Sequence, residues 1–448
     1  MVRTAIVDDN LEKYLSAVSR DNNYAVGLIL GQSCLGKDYI IHFAKTPPLQ
    51  TDDDKKSGKS AEKPKKIEDF NNVWLADHAR QATRMLPGGF YVLGIFVISP
   101  DDVLNPFNPK IKSLLHSVHI QLSSNKYLFG SPNTDKLVLH HSSKTQKYFC
   151  KSYDITSHSV QPVDVKSQPK NWINIHCDFT LNKLYYLAKH QGELPLEKHI
   201  KVILDELSGI LDTAVFLYDR EFRDKDDSLE TLGKKKNRNS RSSKNSHESG
   251  DGQKPLQVSI FQSMNSNSST NSDVNILDSG GRFRLIGKVA SKLWMQPKTT
   301  IAEASEAVKE DILRSLTSRL EMHWDSLIEE ENSEDINSVH EPPRRVLIAL
   351  PDSEIALSDY LFPGEGPQEA KVSLEELLDV KINGKLNITD VEGQADATDL
   401  DKYYKGALDS DKDDVSLKDK PDSNHLMYMG LVLSLLVLIV AVLFKVFM

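Results

Sequence analysis

The last stretch of the chain constrains it most. From Leu426 to Phe444 the sequence reads LMYMGLVLSLLVLIVAVLF, with no charged residue. At about 1.5 Å rise per residue, a helix of this run is about 28 Å long. That is close to the roughly 27 Å hydrocarbon core of an endoplasmic reticulum bilayer. A helix satisfies its own backbone hydrogen bonds, so it can cross lipid. The alternative is a buried core helix. The run is apolar on every face and its upstream flank is charged and unpatterned, so a membrane span is expected, with Leu426, Gly430, Leu435 and Phe444 along it.

Only Lys445-Val446-Phe447-Met448 follows, so insertion is expected after synthesis, with the body left in the cytosol. The first residues include Asp8, Asp9 and Glu12 and lack a basic region followed by an apolar one, so no signal peptide is expected. Lys418 and Lys420 flank one side of the span and Lys445 the other, where its stem can snorkel. The expected location is the endoplasmic reticulum membrane, single-pass. The sequons at Asn267 and Asn387 would then face the cytosol unmodified.

The formal charge of -9 argues against a general nucleic-acid binder. The three cysteines, Cys34, Cys150 and Cys177, are widely spaced and form no CxxC pair, which suits a reducing compartment.

The pattern along the chain predicts a mixed α/β (α+β) fold in two modules. The first covers residues 1–219. Tyr24–Gly31 and Asp38–Ala44 read as paired strands, and residues 50–66 as a solvated charged loop. Phe70, Trp74, His78, Ala82 and Leu86 recur every fourth residue and predict a helix, broken by Pro87-Gly88-Gly89. Phe90–Ser99 is then a strand buried on both faces. Ile111–Leu122 and Pro195–Leu211 read as helices. Leu137–His140, Lys147–Ile155 and Ala214–Tyr218 read as strands.

Residues 220–255 form a basic linker too poor in apolar residues to order itself. The second module is expected over 256–384, with a polar loop at 263–273. Arg282–Met295 reads as a strand. Thr299 or Thr300 caps a long helix over about 301–330, tracked by Ala304, Val308, Ile312, Leu316, Leu320, Trp324 and Ile328. Val346–Leu350 is a strand and Ser373–Val380 a short helix. Residues 385–425, dominated by Asp with scattered Lys, read as an extended tether.

Chemical motifs are scarce. Gly27 and Gly31 lie in a strand, not before a helix, so they form no phosphate loop. His176-Cys177-Asp178 lacks a second ligand group for a metal. His140 and His141 are adjacent, so on a strand they point to opposite faces. His78 on an apolar helix face reads as a core histidine. Cys34, read as a loop residue, and Cys177 are the candidate nucleophiles of a rival reading, a membrane-bound cysteine hydrolase; neither has a visible activating base. No cofactor is expected.

The order GLILG, DYIIHFAKTPP, helix, then a strand ending in Gly-x-x-x-x-Ser-Pro resembles the MPN domain over about 80 residues. Active members carry two zinc-binding histidines at that strand end. Val97 and Ser99 stand at those positions in Gly94–Pro100, which implies a scaffold without zinc.

A second resemblance spans nearly the whole chain. It rests on Gly27–Gln32, Lys37–Tyr39, Thr46–Pro48, His78-Ala79, Arg84–Gly89, Val92–Gly94 and Cys150–Asp154. It continues through Ala307–Lys309, Asp311–Leu313, Arg345-Val346, Leu350-Pro351, Asp359-Tyr360 and the terminal apolar run. These are similar to the odorant response abnormal protein 4 family. The resemblance implies a non-enzymatic membrane-anchored adaptor of the endoplasmic reticulum. Its implied clients are odorant and other seven-helix receptors, whose folding or trafficking it supports. Its implied partner is the cysteine protease specific for the ubiquitin-fold modifier. A client chaperone acting through the membrane span is the remaining alternative. Asp77, Arg80, Gln81 and Arg84, expected on the exposed face of the Phe70–Leu86 helix, are the candidate partner-binding residues.

Overall fold

The computed structural model describes residues 3–49, 63–129, 133–188, 196–236, 254–262, 279–329, 341–351, 353–380 and 388–393. All but Glu341 belong to one compact unit. The expected span, most of the tether, the polar loop at 263–273 and the sequon asparagines Asn267 and Asn387 lie outside the described residues. Among those described, no helix is long and apolar enough to cross a membrane.

The chain opens with β1 (Arg3–Val7) and α1 (Asp9–Asp21). The Asp8 side chain caps α1 by accepting from the Leu11 N–H at 3.1 Å. Next come β2 (Ala25–Cys34), β3 (Lys37–Lys45), α2 (Asn72–Met85) and β4 (Tyr91–Ser99). α3 (Pro109–Ser123), α4 (Lys126–Phe129), β5 (Asp135–Ser142), β6 (Tyr148–Asp154) and β7 (Val160–Ser167) complete this part. The seven strands close into a barrel in the order β1-β3-β2-β4-β5-β6-β7. β1 runs parallel to β3 and β7, and β4 parallel to β5.

Alternation explains why β4 is apolar throughout. Leu93, Phe96 and Ile98 join a cluster with Ile29, Phe43, Leu137 and the α1 residues Leu11, Leu15 and Val18. Val92, Ile95 and Val97 join the cluster formed with α2 and α3. Side chains on a strand alternate between faces, so a strand covered on both sides carries no polar face.

The chain continues through β8 (Ile173–Ala188), α5 (Leu196–Asp212), β9 (Val215–Tyr218), α6 (Leu229–Lys236), β10 (Leu256–Phe261) and β11 (Ser279–Met295). These strands form a second sheet in the order β11-β8-β10-β9. β8 and β11 pair antiparallel along their whole length, from Ile173 opposite Met295 to Ala188 opposite Ser279. The sequence division expected at residue 219 runs through this sheet: β8 and β9 precede it, β10 and β11 follow it.

α7 (Ile301–Glu329) comes next, then β12 (Arg344–Ala349), β13 (Ala356–Leu361), α8 (Pro367–Leu378) and β14 (Ile388–Asp390). The third sheet has the order β13-β12-β14. α8 begins six residues before the expected Ser373, because Pro367 occupies its first turn and Glu369 caps the Gly366 N–H at 3.1 Å. Thr300 caps α7: its hydroxyl accepts from the Glu303 N–H at 3.2 Å, while the Glu303 carboxylate accepts from the Thr300 N–H at 2.9 Å.

Candidate functional site at the buried helix

α7 carries the expected apolar track. Ala304, Val308, Ile312, Leu316 and Leu320 pack against the second sheet and α5. Its other face is buried too, although it is polar: Asp311, Arg314, Ser315, Thr317 and Ser318 are each at most 1% exposed. Buried charges need partners, and here they come from every layer of the body.

Asp311 lies at the centre. One carboxylate oxygen accepts from the Gly88 N–H at 2.7 Å and from Arg345 Nη2 at 2.9 Å. The other accepts from Arg345 Nη1 at 2.7 Å. Arg345, on β12, also donates to the Ser358 hydroxyl on β13 and to the Ala290 carbonyl on β11. Burial by itself raises the Asp311 carboxyl, but the charge and hydrogen bonds of Arg345 outweigh it and hold the carboxyl below its ordinary value. Burial opposes the charge on Arg345, yet Asp311 pushes its guanidinium above its ordinary value.

One turn on, Arg314 donates to the carbonyls of Leu86, Pro87 and Phe90 at 2.9–3.2 Å and to Leu128 at 2.9 Å. It also pairs with Glu310. Glu310 accepts from the Gly89 N–H at 3.2 Å and the Tyr91 hydroxyl at 2.6 Å. The Pro87-Gly88-Gly89 turn is therefore gripped by both signs of charge. A Cβ on Gly88 would lie 2.1 Å from the Ala307 carbonyl, and Gly89 has φ +78, so this turn needs glycine. Gln32, on β2, adds a second link: it donates to the carbonyls of Gly89 and Trp294 at 3.2 Å and accepts from the Gln296 N–H at 3.1 Å.

Further along, Arg319 pairs with Glu392, which also accepts from the N–H groups of Ala290 and Arg345 at 3.1 and 3.0 Å. The histidines of the barrel layer hold α8. His42 Nε2 meets the Leu378 carbonyl at 2.7 Å, and His78 Nε2 the Leu377 carbonyl at 2.6 Å. A carbonyl only accepts, so both Nε2 atoms carry hydrogen, and His78 Nδ1 accepts from the Thr46 hydroxyl at 3.1 Å. Burial pushes both histidines below their ordinary pKa.

The residues singled out by sequence fall elsewhere. Asp77, Arg80, Gln81 and Arg84 share one side of α2, but none is fully exposed. Arg80 pairs with Asp77 at 3.2 Å. Arg84 is only 12% exposed, contacts Gln81, and pairs with Glu321 of α7 at 2.8 Å. The expectation of a wholly exposed face failed because α7 packs over that end of α2. Val97 is fully buried. Ser99 is also buried; its hydroxyl lies 2.8 Å from the Asp101 carbonyl, to which it donates, and 2.9 Å from His140 Nε2.

Cys34 ends β2 and does not lie in a loop as expected. It is 8% exposed, its hydrogen-bond contact is Thr299 at 3.8 Å, and burial raises its thiol pKa. Cys177 is a core residue of β8, its thiol pushed up to about 12 by burial. His176 beside it, pushed down to about 4 by burial, points to the opposite face of the sheet. Among the described residues, no three His, Cys, Asp or Glu side chains gather as a metal site would require.

A sequence profile described as odorant response abnormal 4-like matches residues 27–387. Among similar proteins, the human protein odr-4 homolog is 30% identical over 85% of this chain and 84% of its own length. The mouse homolog is 29% identical over the same shares. Odorant response abnormal protein 4 of Caenorhabditis elegans is 20% identical over 84% of this chain and 78% of its own. Among solved structures, UfSP from C. elegans is similar with a TM-score of 0.42 at 9% identity, covering 85% of this chain and 57% of that one, too low a likeness to define a common fold. The motif residues that the structure ties together around α7, Gln32, Pro87–Gly89, Asp311 and Arg345, all lie inside the matched range, and with most of its length covered the chain belongs to the ODR4-like family.

Proposed function

We propose that this protein is a non-enzymatic adaptor of the endoplasmic reticulum membrane. In this reading the C-terminal apolar run anchors a cytosolic body. The body supports folding or trafficking of odorant and other seven-helix receptors and recruits the cysteine protease specific for the ubiquitin-fold modifier. The MPN-like reading of the β2–β4 region belongs to the same proposal, with Val97 and Ser99 as packing residues where active members hold zinc. The observation that carries it is the use of the family motifs. Arg84, Pro87–Gly89, Asp311 and Arg345 hold layers of the body together rather than lining a reactive cleft. The cysteine-hydrolase rival requires a thiolate at Cys34 or Cys177, and burial works against both.

The test is complementation of cells lacking the protein. Full-length chain, chain truncated after Asp422, and chain with Leu426–Phe444 replaced by an unrelated tail anchor are compared for receptor delivery and protease co-precipitation from membranes. An adaptor works with the foreign anchor and fails without one. Loss of function with the foreign anchor would transfer the role to the span itself. Loss with Cys34→Ala or Cys177→Ala in a folded chain would revive the hydrolase.

A further inference from the structure

The second sheet has one covered face. Its inward residues, among them Phe179 and Leu181 of β8, Tyr218 of β9, Val258 of β10 and Val289 of β11, pack with α5 and α7. Side chains on a strand alternate, so the residues between them point to the other side. There Tyr186 of β8 is 63% exposed, Phe261 of β10 56% and Val215 of β9 44%. Val215 and Phe261 are directly opposite across the β9–β10 pair, within reach of each other. Ile286 of β11 and Leu184 of β8 are half-buried on the same face. Single exposed apolar residues are ordinary, but an apolar patch on one sheet face, rimmed by charge, marks an interaction site.

The rim has one dominant sign. Arg284 and Lys288 of β11 are exposed on this face, and the half-buried Lys292 continues their row. Among the described strand residues here the one acid is Asp178. It pairs with Lys288 at 2.9 Å, with both side chains at least half exposed, so the pair is weak and exchangeable. The chain as a whole carries a formal charge of -9, so this cationic row runs against the balance of the molecule.

The edge of the face limits what can cover it. The Ala290 N–H and carbonyl bond to Glu392 and Arg345, so alternate backbone groups of β11 turn away from β8. Lys288, Ile286 and Arg284 turn theirs the same way. Lipid offers such groups no partner. A second copy would set the patch against itself and bring like charges together. A partner with an apolar stripe and acidic flanks meets neither objection. From Asp178 to Ala188 the β8–β11 ribbon is about 33 Å long at about 3.3 Å per residue, and its two strands make it about 10 Å wide. A helix of about 20 residues has that length and width.

We propose that the outer face of the second sheet, centred on Phe261, Tyr186, Arg284 and Lys288, docks an amphipathic helix of another protein whose apolar stripe is flanked by Asp and Glu. This deepens the adaptor reading and rests on it for the existence of a partner; the face itself is defined by its chemistry, whichever protein docks.

The test is photocrosslinking in cells with the full-length chain. The photoreactive residue p-benzoylphenylalanine replaces Phe261, Tyr186 or, as a control, Ile120 on α3, which is 57% exposed. Adducts are purified and their attachment points sequenced by mass spectrometry. The Phe261 and Tyr186 positions should capture the same short segment of another protein. That segment should have apolar residues every third or fourth position with Asp or Glu beside them, and Ile120 should not capture it. Arg284→Glu with Lys288→Glu should lower the yield about tenfold while leaving the Tm within about 2 °C. Lys288→Gln should act in the same direction by about threefold, and Arg284→Lys, which keeps the sign, should leave the yield near wild type. Adducts to lipid, adducts to a second copy of this chain, no adduct at either position, or a yield unchanged by charge reversal would each overturn the proposal. Protease co-precipitation that persists while both positions stay empty would remove this face and leave the adaptor reading standing. Failure of that reading shows separately, in the anchor-swap complementation.

Discussion

At the scale of single residues, the body depends on a few buried charges. Asp311 and Arg345 are each 1% exposed at the side chain and bonded through two oxygen–nitrogen contacts. Removing one partner of such a pair strands the other, at a cost of about 3–5 kcal/mol. Asp311→Asn should lower the urea unfolding midpoint accordingly, and Asp311→Asn with Arg345→Met should recover part of the loss. The pH dependence has a definite sign. The folded Asp311 pKa is depressed, so its contribution is complete above the unfolded value of about 3.9 and disappears as pH falls through the lower folded value. The asparagine variant should show a shallower acid limb. Arg84 and Arg80 should separate in the same way. Arg84→Glu places a carboxylate against Glu321 in a half-buried site and should destabilise by about 1–3 kcal/mol. Arg80→Glu, at 32% side-chain exposure, should cost under about 0.5 kcal/mol. Equal melting temperatures for the two variants would contradict this placement. None of these pairings was legible in the sequence. Asp311 and Arg345 are 34 residues apart, and Asp311 and Gly88 are 223 apart. A charged residue buried by such a distant partner looks the same, in a string of letters, as one facing water.

At the scale of elements, local pattern was a good guide where one rule dominated. The i, i+4 track of α7, its cap at one of Thr299 and Thr300, and the buried β4 were all readable, because each follows from a short-range period or a capping side chain. Pattern failed where burial was two-sided and polar. The apolar track of α7 packs into the core, but its polar face is enclosed as well. β8 went unread because the inward Ile175, Cys177, Phe179 and Leu181 of its first half alternate with polar residues, and that alternation was masked by the His176-Cys177-Asp178 cluster. α8 was placed, but not its attachment by two histidines from β3 and α2. That attachment makes a prediction of its own. His78→Leu removes a donor from the Leu377 carbonyl and an acceptor from the Thr46 hydroxyl, leaving both unpaired in a partly buried site. A cost of about 1–3 kcal/mol is expected, read as faster amide exchange in α8 and β13 than in β8 and β11. Uniform exchange across the body would contradict a separately attached layer.

At the scale of the whole molecule, α7 is the common element: it touches the barrel layer through Gly88 and Leu86, the second sheet through its apolar track, and the third sheet through Arg345. The C-terminal run is expected to carry this body to a membrane. Full-length protein should resist alkaline extraction, and its body should be open to protease in intact microsomes, whereas the chain ending at Asp422 should be soluble. The central claim is that the family motifs build architecture and leave recognition to other surfaces. Its most direct test is Gly88→Ala, since the added methyl would meet the Ala307 carbonyl at 2.1 Å and Asp311 Cβ at 2.7 Å. Hydrogen exchange of full-length protein is measured across β4, β11 and β12. The account predicts that protection falls together in all three layers and that the melting temperature drops by several degrees. Wild-type protection and melting combined with lost protease capture would contradict it, by making the turn a recognition surface instead of a structural knot.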